Sequence, residues 1–279
     1  MLVNLKTILD MAEKGGYAIP AFNVYNMESV IGVLAAAEEM KAPIIMQVYP
    51  RLMKEETGYF LSPVIKAAAE KASVPVCFHL DHGPSELETT RSIRYGATGI
   101  MLDGSTLPFE GNIALTKRVV ETCSYLDIQV EGELGHVGIT SDENEDEFTT
   151  AKDAKRFVEE TGVACLAVAV GTAHGRYKKP PKLDIERIRE IRKETTNVPL
   201  VLHGGSGVPD DEIKKAVAAG IRKMNFATDI CYAFLDTCLE ELQKPQRAIA
   251  IDTFMKKPIE AVKDFCITRI KLVSADGKA

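Results

Sequence analysis

"PVCFHLDHG", residues 75–83, begins as a buried strand and ends as something else. Val76, Phe78 and Leu80, with Val74 just before them, are the alternating apolar residues of a strand inside a sheet. His79, Asp81 and His82 then crowd two imidazoles and a carboxylate towards its end. An apolar strand gains nothing from such groups unless they meet partners there.

The first half of that pattern recurs along the chain. Short apolar runs lie at 18–23 (AIPAFN), 43–48 (PIIMQV), 75–80 (PVCFHL), 98–103 (TGIMLD), 127–133 (DIQVEGE), 163–170 (VACLAVAV), 198–202 (VPLVL) and 221–225 (IRKMN). Helical patterns separate them at 27–41, 62–72, 85–95, 111–125, 151–161, 184–195 and 209–219, and MLVNLKTILDMAEKGG precedes them as a short amphipathic helix. Strands apolar on both faces that alternate with helices make a parallel sheet covered by helices. Eight of them in about 225 residues match the count and size of a (β/α)8 TIM barrel. The doubly wound alternative wants a glycine-rich turn after the first strand, and FNVYNMES is not one. Beyond Ala227 the pattern continues as a helix at 228–243 and another near 257–273, so the α/β barrel carries additional C-terminal helices. We expect one domain over 1–279, with the barrel at about 1–243 and the helical extension at about 244–279.

The bulk properties exclude several classes. The net charge of −6 argues against a nucleic-acid binder, which would show a basic footprint. No stretch approaches the length of an uncharged membrane span, and the N-terminus lacks a signal-peptide core. The cysteines, Cys77, Cys123, Cys165, Cys231, Cys238 and Cys266, form no C-x-x-C pair and read as reduced thiols of a cytoplasmic protein.

In such a barrel, chemistry collects at the C-terminal ends of the strands. Asn23 ends the first run, Asp81 and His82 the third, Asp103 the fourth, Glu133 the fifth and Asn225 the eighth; His174 and His203 follow the sixth and seventh. His82, His174 and His203 therefore point into one mouth. Three imidazoles with an open position make a catalytic zinc arrangement that also suits cobalt. GTAHG (171–175), HGGSG (203–207) and NFATD (225–229) supply close-approaching backbone N–H groups and the hydroxyls of Ser206 and Thr228. Loops after strands seven and eight are where barrels commonly hold phosphate. A metal beside a phosphate site points to a small phosphorylated substrate polarised by the ion.

HLDHG, GTAHG, LHGGSG and NFATD, in this order, resemble the class II, metal-dependent ketose-bisphosphate aldolases, the fructose- and tagatose-1,6-bisphosphate type. The likeness runs from GYAIPAFNVYNMES through NFATD. It implies zinc on His82, His174 and His203, with Asp103 and Glu133 able to hold the metal in a more buried position, and it admits a monovalent cation. It implies that Asp81 moves the proton of the departing oxygen, and that Gly175, Gly204, Gly205, Ser206, Asn225, Ala227 and Thr228, with Asn23, hold the substrate. The reaction implied is cleavage or formation of the C3–C4 bond of a ketose 1,6-bisphosphate, giving dihydroxyacetone phosphate and an aldehyde or aldehyde phosphate. The metal stabilises the enediolate as a Lewis acid, and a homodimer or homotetramer is expected.

Three departures bear on the substrate. In ELGHVGITSDENEDEF (133–148), Ser141 stands where relatives place a glutamate, and Asp142 and Glu143 lie beside it as candidate proton carriers. His136 in the same loop reads as a surface group, a transient ligand or a substrate contact. Relatives carry a Pro-Arg pair for the distal phosphate; AIAIDTFMKK (248–257) lacks it and puts Asp252 about there. Arg51, in VYPRLM, is the candidate replacement, since a guanidinium grips any fork-shaped anion. The distal group is then a phosphate held differently, a carboxylate, a sulfonate or a neutral end. A zinc hydrolase and a non-catalytic partner subunit of another aldolase stand as the competing classes. The first usually opens with an H-x-H pair that Phe22-Asn23-Val24 does not offer, and the intact histidine set speaks against the second.

Overall fold

The computed structural model of the chain describes residues 1–135, 148–173, 175, 177, 180–196, 198–245 and 250–279. His136, Ser141, Asp142, Glu143 and His174 lie outside the described residues.

Eight parallel strands close into a barrel in sequence order: β1 (Ile19–Asn23), β2 (Ile44–Val48), β3 (Val76–Gly83), β4 (Gly99–Leu102), β5 (Gln129–Leu134), β6 (Cys165–Val168), β7 (Leu200–Leu202) and β8 (Ile221–Phe226). Helices α2 (Met27–Met40), α3 (Pro50–Lys54), α4 (Glu56–Lys71), α5 (Glu86–Arg94), α6 (Phe109–Ser124), α7 (Ala151–Thr161), α8 (Ile185–Glu194) and α9 (Asp210–Ala219) fill the crossovers. The expected TIM barrel is thus the observed one. Its outward strand face is apolar: Phe22, Phe78 and Phe226 are fully buried under the helices, and Phe22 and Phe226 pack at 5.9 Å across the β1–β8 seam.

The inward face is unusual in being polar. Alternation along the strands sends Asn23, Gln47, His79, Asp81, Glu131, Glu133, Lys223 and Asn225 into the barrel, and all are buried. Their contacts join strands that are not neighbours, which only the interior permits. Polar groups are stable there because they pair with one another. Helix α1 (Leu5–Gly15) lies across the N-terminal end, so this polar column opens only at the other rim. Leu5 is fully buried there, and Gly99 keeps its strand small where a Cβ would stand 2.9 Å from the Leu5 side chain.

Two helices are longer than the sequence pattern suggests, and for the same reason. The helix expected at 62–72 starts at Glu56 and runs through Pro63; the one expected near 257–273, α11 (Ile251–Leu272), runs through Pro258. An interior proline loses one backbone hydrogen bond and normally ends a helix. At Pro63 the carbonyl left without its helical donor belongs to Tyr59, an exposed residue. Helix α10 (Thr228–Gln243) opens directly after β8, as NFATD suggested. Helix α11 packs on α2 at Gly32, where any Cβ would meet the Val262 side chain and the Ile259 carbonyl within 2.9 Å. No helix among the described residues is long and apolar enough to cross a membrane, and all six cysteines are free thiols.

Candidate active site

Asp81 and His82 are adjacent in sequence, so a regular strand would send them to opposite faces. A bulge resolves this. Leu80 pairs with Ile100 and Gly83 with Leu102, so β3 spends one residue more than β4 over the same span. His82 takes up the slack with a φ of 48°, in the left-handed region that histidine tolerates better than most side chains. Gly83 closes the bulge; a Cβ there would stand 2.6 Å from the Met101 carbonyl. HLDHG is the sequence of this device: it turns both functional groups into the mouth.

Asp81 is clamped. Asn23 Nδ2 donates to its Oδ2 at 2.9 Å and Asn225 Nδ2 to its Oδ1 at 3.0 Å. Gln47 Nε2 in turn donates to Asn23 Oδ1 at 2.8 Å, which fixes that amide. Burial works against the charge of Asp81, but His82, His203 and Lys223 outweigh it and hold the carboxyl below its usual range. It is an ionised carboxylate with both oxygens fixed.

His203 is fully buried, with Nε2 2.8 Å from Glu131 Oε1 and Nδ1 3.2 Å from Glu133 Oε2. His82 Nδ1 lies 2.8 Å from Asp103 Oδ2, and Asp103 Oδ1 accepts from both the backbone and the hydroxyl of Ser105. The two imidazole rings stand 4.6 Å apart. Burial disfavours a charged His82, yet Asp81, Asp103 and Glu133 hold its pKa up at about 10. The site is thus over-supplied with negative charge, which a cation would neutralise in place of a proton.

Those donors suit a divalent metal. Ligand atoms of Asp81, His82 and His203 lie within 4.8 Å of one another, and so do those of His82, Asp103 and Glu133. Two overlapping sets sharing His82 are what a metal with two stations requires. His174, the third expected imidazole, lies outside the described residues. His79 belongs to neither set. It sits deeper in the barrel, where burial and Lys223 push its pKa down to about 3, so it is a neutral packing neighbour of Glu131.

One small cavity collects Asp81 with all the expected substrate-binding residues except Gly205 and Arg51. It opens into a cleft of about 370 Å³ that shares Gly175, Ser206 and Thr228 and ends at Tyr232 and Asp236. Gly204 has a φ of 64°, and a Cβ there would stand 2.5 Å from the Ala173 carbonyl, so only glycine fits. Gly205 sits behind the cavity against the Asn225 carbonyl. Ala227 offers α10 no side-chain cap, and the Asp229 N–H reaches the Ser206 hydroxyl only at 3.4 Å, so the helix start suits an anion. Tyr177, unremarked in the sequence, ties the loops together: its hydroxyl takes the Ala173 N–H at 2.7 Å and reaches the Gly204 carbonyl at 3.0 Å.

Arg51 is on α3, the helix after β2, exposed and hydrogen-bonded to the Tyr49 hydroxyl with its guanidinium over that ring. Tyr25 packs edge-on against Tyr49 at 5.9 Å. Asp252, in the first turn of α11, is exposed.

The family model for class II fructose-bisphosphate aldolase matches residues 3–278. The chain belongs to this family. The enzyme is accordingly a lyase of the class II aldolase type, and solved structures agree. The YdjI aldolase from Escherichia coli K12 is 36% identical over all of both chains, with a TM-score of 0.90. The fructose-bisphosphate aldolase from Campylobacter jejuni is 23% identical over 100% of this aldolase and 97% of its own chain, with a TM-score of 0.85, a likeness of fold.

Proposed function

We propose that the enzyme reversibly cleaves the C3–C4 bond of a ketose 1-phosphate or 1,6-bisphosphate, releasing dihydroxyacetone phosphate and an aldehyde. One observation carries this reading: a clamped carboxylate, Asp81, lines a glycine-rich cavity and stands within reach of the His82 and His203 imidazoles.

The phosphate of the ketose occupies the cavity of Gly175, Gly204, Ser206 and Thr228, at the N-terminus of α10. That places C1 to C3 next to His82 and His203, and the C4 hydroxyl at Asp81. In cleavage Asp81 takes the C4 hydroxyl proton, the O–H pair becomes the new carbonyl bond, and the C3–C4 pair remains on C3 as an enediolate. His82 and His203, with His174 as the resemblance implies, would hold a zinc ion, which would supply Lewis-acid stabilisation of that charge. Asn23 and Asn225 keep Asp81 from swinging, which maintains proton transfer in the productive geometry. The enediolate carbon then takes a proton, a task for which Asp142 and Glu143 are the nearest acids in the sequence.

Arg51 and Tyr49 favour an anionic distal end held by one guanidinium and one phenol. A ketose 1-phosphate ending in a carboxylate fits that pair as well as a second phosphate does. Replacing Arg51 by alanine is expected to raise the KM of the intact ketose about ten-fold or more, the worth of a charge-assisted hydrogen bond. Dihydroxyacetone phosphate binding should hardly change. Equal weakening of both would remove Arg51 from the distal site.

The reaction is tested with purified, zinc-loaded protein, a panel of ketose 1-phosphates and 1,6-bisphosphates, and coupled detection of dihydroxyacetone phosphate. Release from at least one member is expected. Tight zinc binding with no release from any would contradict the proposal and favour a non-catalytic role.

A further inference from the structure

Beneath the rim, one ammonium group touches both halves of the site. Lys223 Nζ is fully buried in the barrel. It donates to Glu131 Oε2 at 2.8 Å and to Asn225 Oδ1 at 2.8 Å. Neither Lys223 nor Glu131 has a part in the proton or metal chemistry described above. A lysine is almost never fully buried unless it is paired, and this one is paired twice.

Both contacts have a direction, because an ammonium can only donate. Glu131 bridges to the metal-ligand set: Oε2 accepts from Lys223 at 2.8 Å, and Oε1 lies 2.8 Å from His203 Nε2. A carboxylate can only accept, so Nε2 of His203 carries the hydrogen, and Nδ1, 3.2 Å from Glu133 Oε2, is the nitrogen on the side of the metal-ligand set. At Asn225, the amide oxygen is committed to Lys223, so the NH₂ group must face Asp81. A flipped amide would set a carbonyl against a carboxylate.

We propose that Lys223 is a positioning residue that orients His203 through Glu131 and Asp81 through Asn225, coupling the metal ligand and the proton acceptor through one buried charge. It extends the aldolase reading above, whose geometry it explains from below. Partners that set the tautomer of a metal-binding histidine typically matter 10- to 100-fold in metal affinity or activity.

Two variants separate the arms. In Lys223→Met, Glu131 loses its counter-charge and Asn225 its anchor. Stripped protein titrated with cobalt should bind at least about ten-fold more weakly, with an altered visible spectrum of the bound ion. At saturating metal, kcat on the ketose that the parent cleaves fastest should fall at least about ten-fold. In Lys223→Met/Glu131→Gln no charge is left buried at this pair. The amide oxygen of the introduced glutamine still accepts from His203, while its NH₂ group faces His79 Nε2, which has no hydrogen-bond partner among the described residues. Cobalt affinity should largely return, whereas kcat should stay low because Asn225 remains unanchored.

Parent-like cobalt affinity and kcat in the single variant would overturn the proposal. Recovery of both in the double variant would reduce Lys223 to a counter-ion for Glu131. Loss of the fold in both, by circular dichroism, would make its role structural and contradict the proposal. The cobalt titration needs no substrate, so it reads this network independently; absence of ketose cleavage by the parent would count against the proposed reaction instead.

Discussion

Asp81→Ala is expected to lower turnover by at least roughly 10² while metal content stays near one ion per chain, the size of effect that follows loss of a positioned general base. The split between chemistry and metal is the informative part. Asp81 is held by two amides, Asn23 at 2.9 Å and Asn225 at 3.0 Å, anchored from below by Gln47 and Lys223 respectively. That arrangement fixes a proton acceptor; a carboxylate needed only as a ligand would not require both oxygens to be clamped from the protein side. Alanine removes the acceptor and leaves His82, His203, Asp103 and Glu133 where they are. Metal analysis and steady-state kinetics on the same sample check this. Turnover within a few-fold of the parent would assign the proton to another acid.

His203→Ala should behave differently, losing metal and activity together. His203 is fully buried and bonded through Nε2 to Glu131, so it is an ordered donor that presents Nδ1 without rearrangement. Removing it takes away one ligand and leaves Glu131 short of a hydrogen-bond partner in a dry site. Zinc affinity should fall by more than roughly 10², beyond the range seen when only a supporting partner is lost. Equilibrium dialysis against zinc measures it. Stoichiometric zinc at parental affinity would show that the ion sits elsewhere.

The bulge in β3, which brings Asp81 and His82 to one mouth, marks a limit of reading by pattern. All eight strands and the glycine loops after the later ones were legible, because apolar runs between helices and glycines after strands have local causes. Period-two alternation, however, predicts that Asp81 and His82 face opposite ways. Only the register of β4 against β3, a non-local fact, shows the extra residue that turns His82 inward.

Lys223 and Glu131 escaped attention for a related cause. Their pairing joins β8 to β5 across the barrel, and nothing in IRKMN or VEGEL taken alone shows it. A signal was present: a lysine two residues before Asn225, within a strand otherwise read as buried, needs a buried partner. The helices expected at 62–72 and near 257–273 begin earlier than the pattern suggests, with Pro63 and Pro258 in their interiors.

Stripping the protein with a chelator, assaying ketose cleavage, and then restoring one equivalent of zinc puts the whole scheme to its shortest trial. If imidazoles at the rim hold an ion that carries the developing charge, activity should vanish with the ion and return with it at a one-to-one ratio. Cleavage that proceeds at the original rate in fully stripped protein would show that these side chains gather for some other purpose.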